Sequence, residues 1–427
     1  MNQSADVDLA IVGAGAAGIT AARTALGLGA TCVVLEARNR VGGRVHTDAS
    51  LGPHFDAGAA YIHFCDRNPW VREARRLGIE TRQWRGFMHF EPYINGVRVP
   101  EEAVLRRRRV REGFWTHLES IEDQDLDQPI SDAALVLKDE GRDAITDMSR
   151  LGLGEDPQHV SLRDYMALWD GPDRIVPQGY GTLVMAAAAG LPIRLDCPVD
   201  RINQTSAGFD VVTAKGVIKA RAVVLTVSVG VLKAGRIGLP SGLSADFSSG
   251  LDGLAMGALT KVALAFDGER FGIPQGADKI ALDAPGGSMT FELWPFDQNL
   301  VLAVSGGQGG RRLIEQGEAA SVEDVARLFS TIIGRDCRPH LRGGRLSGWW
   351  GDPYSEGSYA YAKPDRHHAR AMLLDTGIEG LYYAGEATAG GRFGACMTVA
   401  GASYAGWDAV KKALKTLGHP LPRRVLR

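Results

Sequence analysis

Six residues near the start of the chain, Gly13-Ala14-Gly15-Ala16-Ala17-Gly18, have the spacing of a phosphate-binding loop. Gly13 permits a tight turn, Gly15 lets backbone N–H groups approach a pyrophosphate, and Gly18 lets a helix pack closely on a strand. Ala16 and Ala17 complete the loop, and the N-terminus of the helix that follows favours anionic phosphate. Glu36 follows about 20 residues later, where an acid accepts both hydroxyls of a ribose and disfavours a 2′-phosphate. A second candidate is Lys261, which interrupts an apolar run on the face shared with Ala263 and Ala265. A lysine there needs a partner or water, unless it sits on an edge strand and reaches solvent.

The elements around these residues are legible. Val7, Leu9, Ile11 and Val12 read as a buried strand, Ile19 to Leu28 as a helix, and Cys32 to Leu35 as a second strand. Together they form a complete βαβ unit of about 30 residues, which makes a dinucleotide site a much stronger reading than a lone glycine motif would. Phe209, Val211 and Thr213 alternate as in a half-buried strand, and Val223 to Val227 as a buried one. Thr260, Val262, Leu264 and Phe266 share one face of a later strand. The class is mixed α/β.

The whole composition is that of a globular protein. The 427 residues are 45% hydrophobic and 23% charged, which excludes a disordered chain, a collagen and a coiled coil. Lys plus Arg total 48 against 50 acids, a net charge of −2, so no net basic field exists for nucleic acid. The run Arg106 to Arg109 with Arg111 reads as a solvated helix face, with a docking patch as the alternative. Five cysteines, an odd number with no CxxC, point to reduced thiols rather than disulfides or zinc. The N-terminus lacks a basic leader, and the longest uncharged stretches, 9–22 and 183–193, fall short of a membrane span. A cytoplasmic protein with no membrane partner is expected.

After Glu36 the chain continues Ala37-Arg38-Asn39-Arg40-Val41-Gly42-Gly43-Arg44. This second glycine loop resembles the FAD-containing amine oxidase family, and so does the C-terminal pattern Ala384-Gly385-Glu386 with the helix after Thr398-Val399. The resemblance spans about residues 7–415. It implies a two-domain flavoprotein: a Rossmann-like FAD-binding domain from 1–75, 190–250 and 375–427, and a sheet-plus-helices substrate domain from 76–189 and 251–374. Further cofactor contacts implied by resemblance are Ala37, Arg38, Gly42, Gly43, Arg44, Gly58, Ala59, Tyr61, Val199, Gly385, Glu386, Thr398 and Val399. They add to Gly13, Gly15, Ala16, Ala17, Gly18 and Glu36.

By the same resemblance, Lys261 holds a water at flavin N5, and Trp349, rather than Trp350, lies beside the flavin. Tyr359 is one wall of an amine cage, and Thr398 stands where monoamine oxidases carry the second aromatic wall. His63 faces the substrate, or else is satisfied within a turn. Ser358 occupies the position of the flavin-linked cysteine of monoamine oxidases, so FAD is expected to be non-covalent. Ser228 replaces a family proline and leaves that loop's shape open. The implied activity is oxidation of a small-molecule amine with O2, polyamines favoured, by a monomer or homodimer. Glu292 and Glu91 are candidate acids for a polycation. An L-amino-acid or small-monoamine oxidase is the alternative, with Arg85 or Arg345 as the carboxylate partner. Two other readings are a flavin enzyme of different reaction and a non-catalytic flavoprotein that docks a partner.

Overall fold

A computed structural model describes residues 5–84, 90–121 and 127–420. Two large sheets organise them. In the first, strands Ile193–Arg194, Cys32–Leu35, Val7–Val12 and Gly216–Leu225 run parallel, in that order. The far edge of Gly216–Leu225 is shared. Its first half pairs antiparallel with Gly208–Thr213, and its last residues pair parallel with Leu381–Tyr383. Strand Val199–Thr205 closes the meander against Gly208–Thr213. The central strands are buried on both faces, which is why they read as continuous apolar runs.

Helix Ala16–Gly27 follows the glycine loop and packs against the last helix, Val399–Thr416. Both contribute alanines to one core with Leu9, Ile11 and Val34. Small side chains let the backbones approach closely. A Cβ on Gly406 would lie 2.1 Å from the Ala17 carbonyl oxygen. Helix Tyr180–Ala188 packs on the other side of the glycine-loop helix, sharing a core with Ala16, Ile19, Trp70 and Val399.

The second sheet has the order Leu341–Ser347, Thr260–Phe266, Leu300–Ser305, Met289–Leu293, Lys279–Ala281, Glu91–Ile94, Val97–Arg98. Its pairs are antiparallel except Lys279–Ala281 with Glu91–Ile94. The alternation read along Thr260–Phe266 holds. Val262, Leu264 and Phe266 enter a core with Phe291 and Phe329, while Ala263 and Ala265 pack on Phe55 and Ala57. Lys261 therefore faces the chain segment that leads out of the second glycine loop.

The basic run lies on helix Glu101–Ile121. Arg106, Arg108 and Arg109 are exposed, as a solvated face requires, but Arg107 turns inward to Asp147 at 3.0 Å. All five cysteines are free. Among the described residues no helix is long and apolar enough to cross a membrane.

Candidate active site

A cavity of about 920 Å³ begins at the glycine loop and extends to the second sheet. At its first end the two glycine loops are tied together: Gly42 N–H donates to the Ala14 carbonyl at 2.8 Å, and Gly15 bridges Gly42. Gly42 has φ +96°, and a Cβ there would meet the Val45 carbonyl oxygen at 2.4 Å, so only glycine fits. Glu36 is buried, its carboxylate accepting the N–H groups of Ala14 (2.7 Å) and Arg38 (2.9 Å). The adjacent helix has no side-chain cap and no acid in its first turn. A bare backbone rim, an open helix N-terminus and an acid facing the cavity are a donor set that fits a dinucleotide.

Midway along the cavity, Arg44 donates to Glu386 at 3.0 Å and to the Ser358 carbonyl at 2.9 Å. Glu386 in turn accepts Ala360 N–H at 3.1 Å. Gly58 is pinned here, since a Cβ would lie 1.8 Å from the Arg44 carbonyl oxygen and 3.1 Å from the Trp349 ring. Trp349 Nε1–H donates to the Ala57 carbonyl at 2.9 Å. Lys261 is 7% exposed, and its Nζ donates to the carbonyls of Asp56 and Gly58 at 2.7 Å each. Burial lowers its pKa, against the opposing pull of Asp56 and Glu292. Strand Thr260–Phe266 of the second sheet and the segment Asp56 to Gly58 thus meet through one ammonium group.

Around the far half, the Tyr359 hydroxyl donates to the Gly152 carbonyl at 3.1 Å, and burial raises its pKa. Thr398 caps helix Val399–Thr416: its hydroxyl accepts Gly401 N–H at 3.0 Å and donates to the Ala395 carbonyl at 2.7 Å. His63 Nδ1 lies 3.1 Å from Asp173 Oδ2, with its side chain 42% exposed. Tyr61 has its ring 4.4 Å from that of Trp84 and 5.8 Å from that of His63.

Every residue singled out from the sequence as catalytic or cofactor-binding lines this cavity except Gly18. Gly18 instead makes the close contact beneath it, where a Cβ would lie 1.9 Å from the Gly13 carbonyl oxygen. Trp349 lines the cavity. Trp350 does not, and lies under Arg311 at 5.6 Å. Of the candidate acids Glu292 lines it, while Glu91 is held outside by Lys279 at 2.8 Å. Arg345 points away, to Glu318 at 3.0 Å, and Arg85 lies outside the described residues. Ser228 settles its loop by capping helix Val229–Lys233. Sequence reasoning missed Asp278, Thr290, Trp169, Arg107 and Asp147, all in the lining. The alternation Met289–Leu293 predicts that Thr290 shares the face of Glu292. Nothing local marks the others.

A family model described as flavin containing amine oxidoreductase matches residues 16–414. The chain belongs to that family. Polyamine oxidase 2 of Arabidopsis thaliana is 28% identical over 406 residues, covering 88% of this chain and 82% of its own. Polyamine oxidase 4 of Oryza sativa subsp. japonica is 28% identical, covering 95% and 88%. Among solved structures, cyclohexylamine oxidase from Brevibacterium oxydans superposes with a TM-score of 0.79 at 21% identity, covering 97% of this chain and 100% of its own. A putrescine oxidase variant redesigned in cofactor binding gives 0.78 at 17%, covering 96% and 99%. These likenesses carry the two-domain flavoprotein fold. As a flavin-containing amine oxidoreductase the chain is an enzyme, and its cofactor is FAD.

Proposed function

We propose that this amine oxidoreductase oxidises a long, polyamine-type amine at the carbon beside nitrogen, with O2 as the final acceptor and H2O2 as the second product. The observation that carries the reading is the single cavity joining the paired glycine loops to Lys261, Trp349 and Tyr359. The FAD is held without a covalent bond by the loops around Gly13, Gly15 and Gly42, with Glu36 at the ribose and Val399 at the start of the last helix. When bound it supplies the two-electron acceptor for the amine C–H bond.

The protein's own part is to bind, desolvate and orient. Tyr359 and Trp349 wall the space where the amine lies. Thr398, committed to its helix cap, leaves the opposite side without an aromatic ring and so admits a longer chain. A dry pocket favours the neutral amine, whose lone pair assists loss of hydride from the adjacent carbon. Lys261 spends two donors on the Asp56 and Gly58 carbonyls, and its third faces the cavity, where it holds a water. His63, oriented by Asp173, faces the amine. The imine leaves and hydrolyses to an aldehyde and an amine or ammonia. The discontinuous division into cofactor and substrate domains, and a cytoplasmic setting for the five free thiols, belong to the same proposal.

The test is peroxide release by the purified yellow protein across spermine, spermidine, putrescine, aromatic monoamines and L-amino acids. Turnover concentrated on the aliphatic polyamines is expected, and acid precipitation is expected to leave the flavin in the supernatant. Turnover of amino acids alone overturns the substrate reading. Flavin retained on the precipitate overturns the non-covalent one.

A further inference from the structure

The segment 349–359 has no helix or strand of its own, yet it reaches both ends of the cavity. Trp349 and Tyr359, at its two ends, line the part assigned above to the amine. Pro353, Tyr354 and Ser355, in its middle, line the cavity together with Arg38, Val199 and Arg236. Arg38 fixes where that middle lies. Its backbone N–H donates to the Glu36 carboxylate at 2.9 Å, and its guanidinium donates to Asp352 Oδ1 at 2.5 Å. The middle of the segment therefore sits at the Glu36 end.

The segment first closes on itself. The Trp349 carbonyl accepts the Gly357 N–H at 2.7 Å and the Ser355 hydroxyl at 3.1 Å. Asp352 Oδ1 accepts the Tyr354 N–H at 2.9 Å, and the Asp352 carbonyl accepts the Glu356 N–H at 2.7 Å. Glu356 is left at φ +51°, a left-handed conformation that a residue other than glycine keeps only when its surroundings hold it. Three contacts hold it, all from the chain that follows strands Cys32–Leu35 and Gly216–Leu225. Arg38 meets Asp352, and Arg236 meets Glu356 at 2.7 Å. Between them the buried Ser228 hydroxyl donates to the Ser355 carbonyl at 2.6 Å. The proline that the family carries at 228 has no such donor, so this contact belongs to this chain. The Arg38 guanidinium also lies 5.3 Å from the Tyr354 ring and 6.0 Å from the Trp349 ring.

We propose that segment 349–359 is a strap latched over the Glu36 end of the cavity, and that Asp352 is its positioning residue. Through Arg38, Asp352 keeps FAD from leaving that end. Through the closed loop, it sets the Trp349 and Tyr359 rings that face the amine. Cofactor retention and amine binding are then coupled by one stretch of chain. The part that concerns the amine rests on the proposed function, and the latch on FAD does not.

The experiment follows loss of FAD from the holoenzyme on dilution, by the fluorescence of released flavin, at low and high salt. Asp352→Asn keeps the acceptor for the Tyr354 N–H and removes only the charge that meets Arg38. It is expected to release FAD at least about tenfold faster than wild type at low salt, the scale of one lost charge-assisted hydrogen bond. Added salt, which screens the wild-type pair, is expected to speed release less in the variant than in wild type. Glu356→Gln is expected to act in the same direction by a smaller factor, because the Arg236 side chain is 51% exposed. With FAD kept saturating, Asp352→Asn is expected to raise several-fold the KM of whichever amine reduces the wild-type flavin, with a smaller change in kcat. Asp352→Glu, which keeps the charge, is expected to recover part of both effects. Wild-type release rates in Asp352→Asn and Glu356→Gln overturn the strap. So does release that quickens while keeping the full salt response, which marks a packing defect. Faster release with an unchanged amine KM overturns the coupling. If no amine reduces the wild-type flavin, the proposed function fails, and the release rates alone decide the strap.

Discussion

Glu292 carries its charge under protest. Burial lifts its pKa from 4.5 to about 7, Asp278 and Asp56 push the same way, and Lys261 opposes them. Between those values the folded protein binds a proton that the unfolded chain has released, so stability is lost as pH rises from about 4.5 through 7. Glu292→Gln keeps the shape and removes the titration. The ligand-free variant is expected to melt a few degrees above the parent at pH 8 and within about a degree of it at pH 5, by calorimetry. An equal offset at both values contradicts the account.

The helix pair Ala16–Gly27 and Val399–Thr416 shows what sequence periodicity delivers at the scale of an element. The small residues at 400, 401, 402, 405 and 406 let the last helix approach its neighbours closely, and a Cβ on Gly406 would lie 2.1 Å from the Ala17 carbonyl oxygen. Gly406→Val is expected to force the helices apart, lowering stability by about 2 kcal/mol, the cost of overpacking. Because Ala17 also lines the cofactor end of the cavity, flavin retention on gel filtration should fall with it. Unfolding curves that coincide with wild type sink the idea. The glycine loops and Glu36 carry their signal locally, in spacing; Lys261 is marked locally only as an interruption of an apolar run, and its role, like that of Trp349, is read through the family resemblance. Asp278 is legible in neither way. It stands opposite Glu292 only because two short strands pair, and pairing between distant segments leaves no mark on either one. Helix Tyr180–Ala188 was assigned no place against the glycine-loop helix for the same reason.

At the scale of the whole molecule, three distant segments must meet for Tyr359 and Glu386 to share one cavity, and a buried ion pair joins them. Arg370 is 1% exposed and forks onto Asp164, with Nε at 2.6 Å and Nη2 at 2.8 Å. Its remaining donors reach the carbonyls of Ala360 (2.8 Å) and Ala387 (2.9 Å), the residues that follow Tyr359 and Glu386. Asp164 also accepts Ala362 N–H at 3.0 Å. The pair therefore ties helix Leu162–Met166, strand Ala360–Ala362 and the Gly385-Glu386 turn into one unit. Removing one partner strands the other charge in a dry site, so Arg370→Met is expected to cost about 3–5 kcal/mol. Asp164→Asn alone should also destabilise, and the double variant should lose much less than the sum of the two. Additive losses would mean that the two side chains act separately. In that case the alignment of Tyr359 with Glu386 would rest on the Arg44, Glu386 and Ala360 contacts alone.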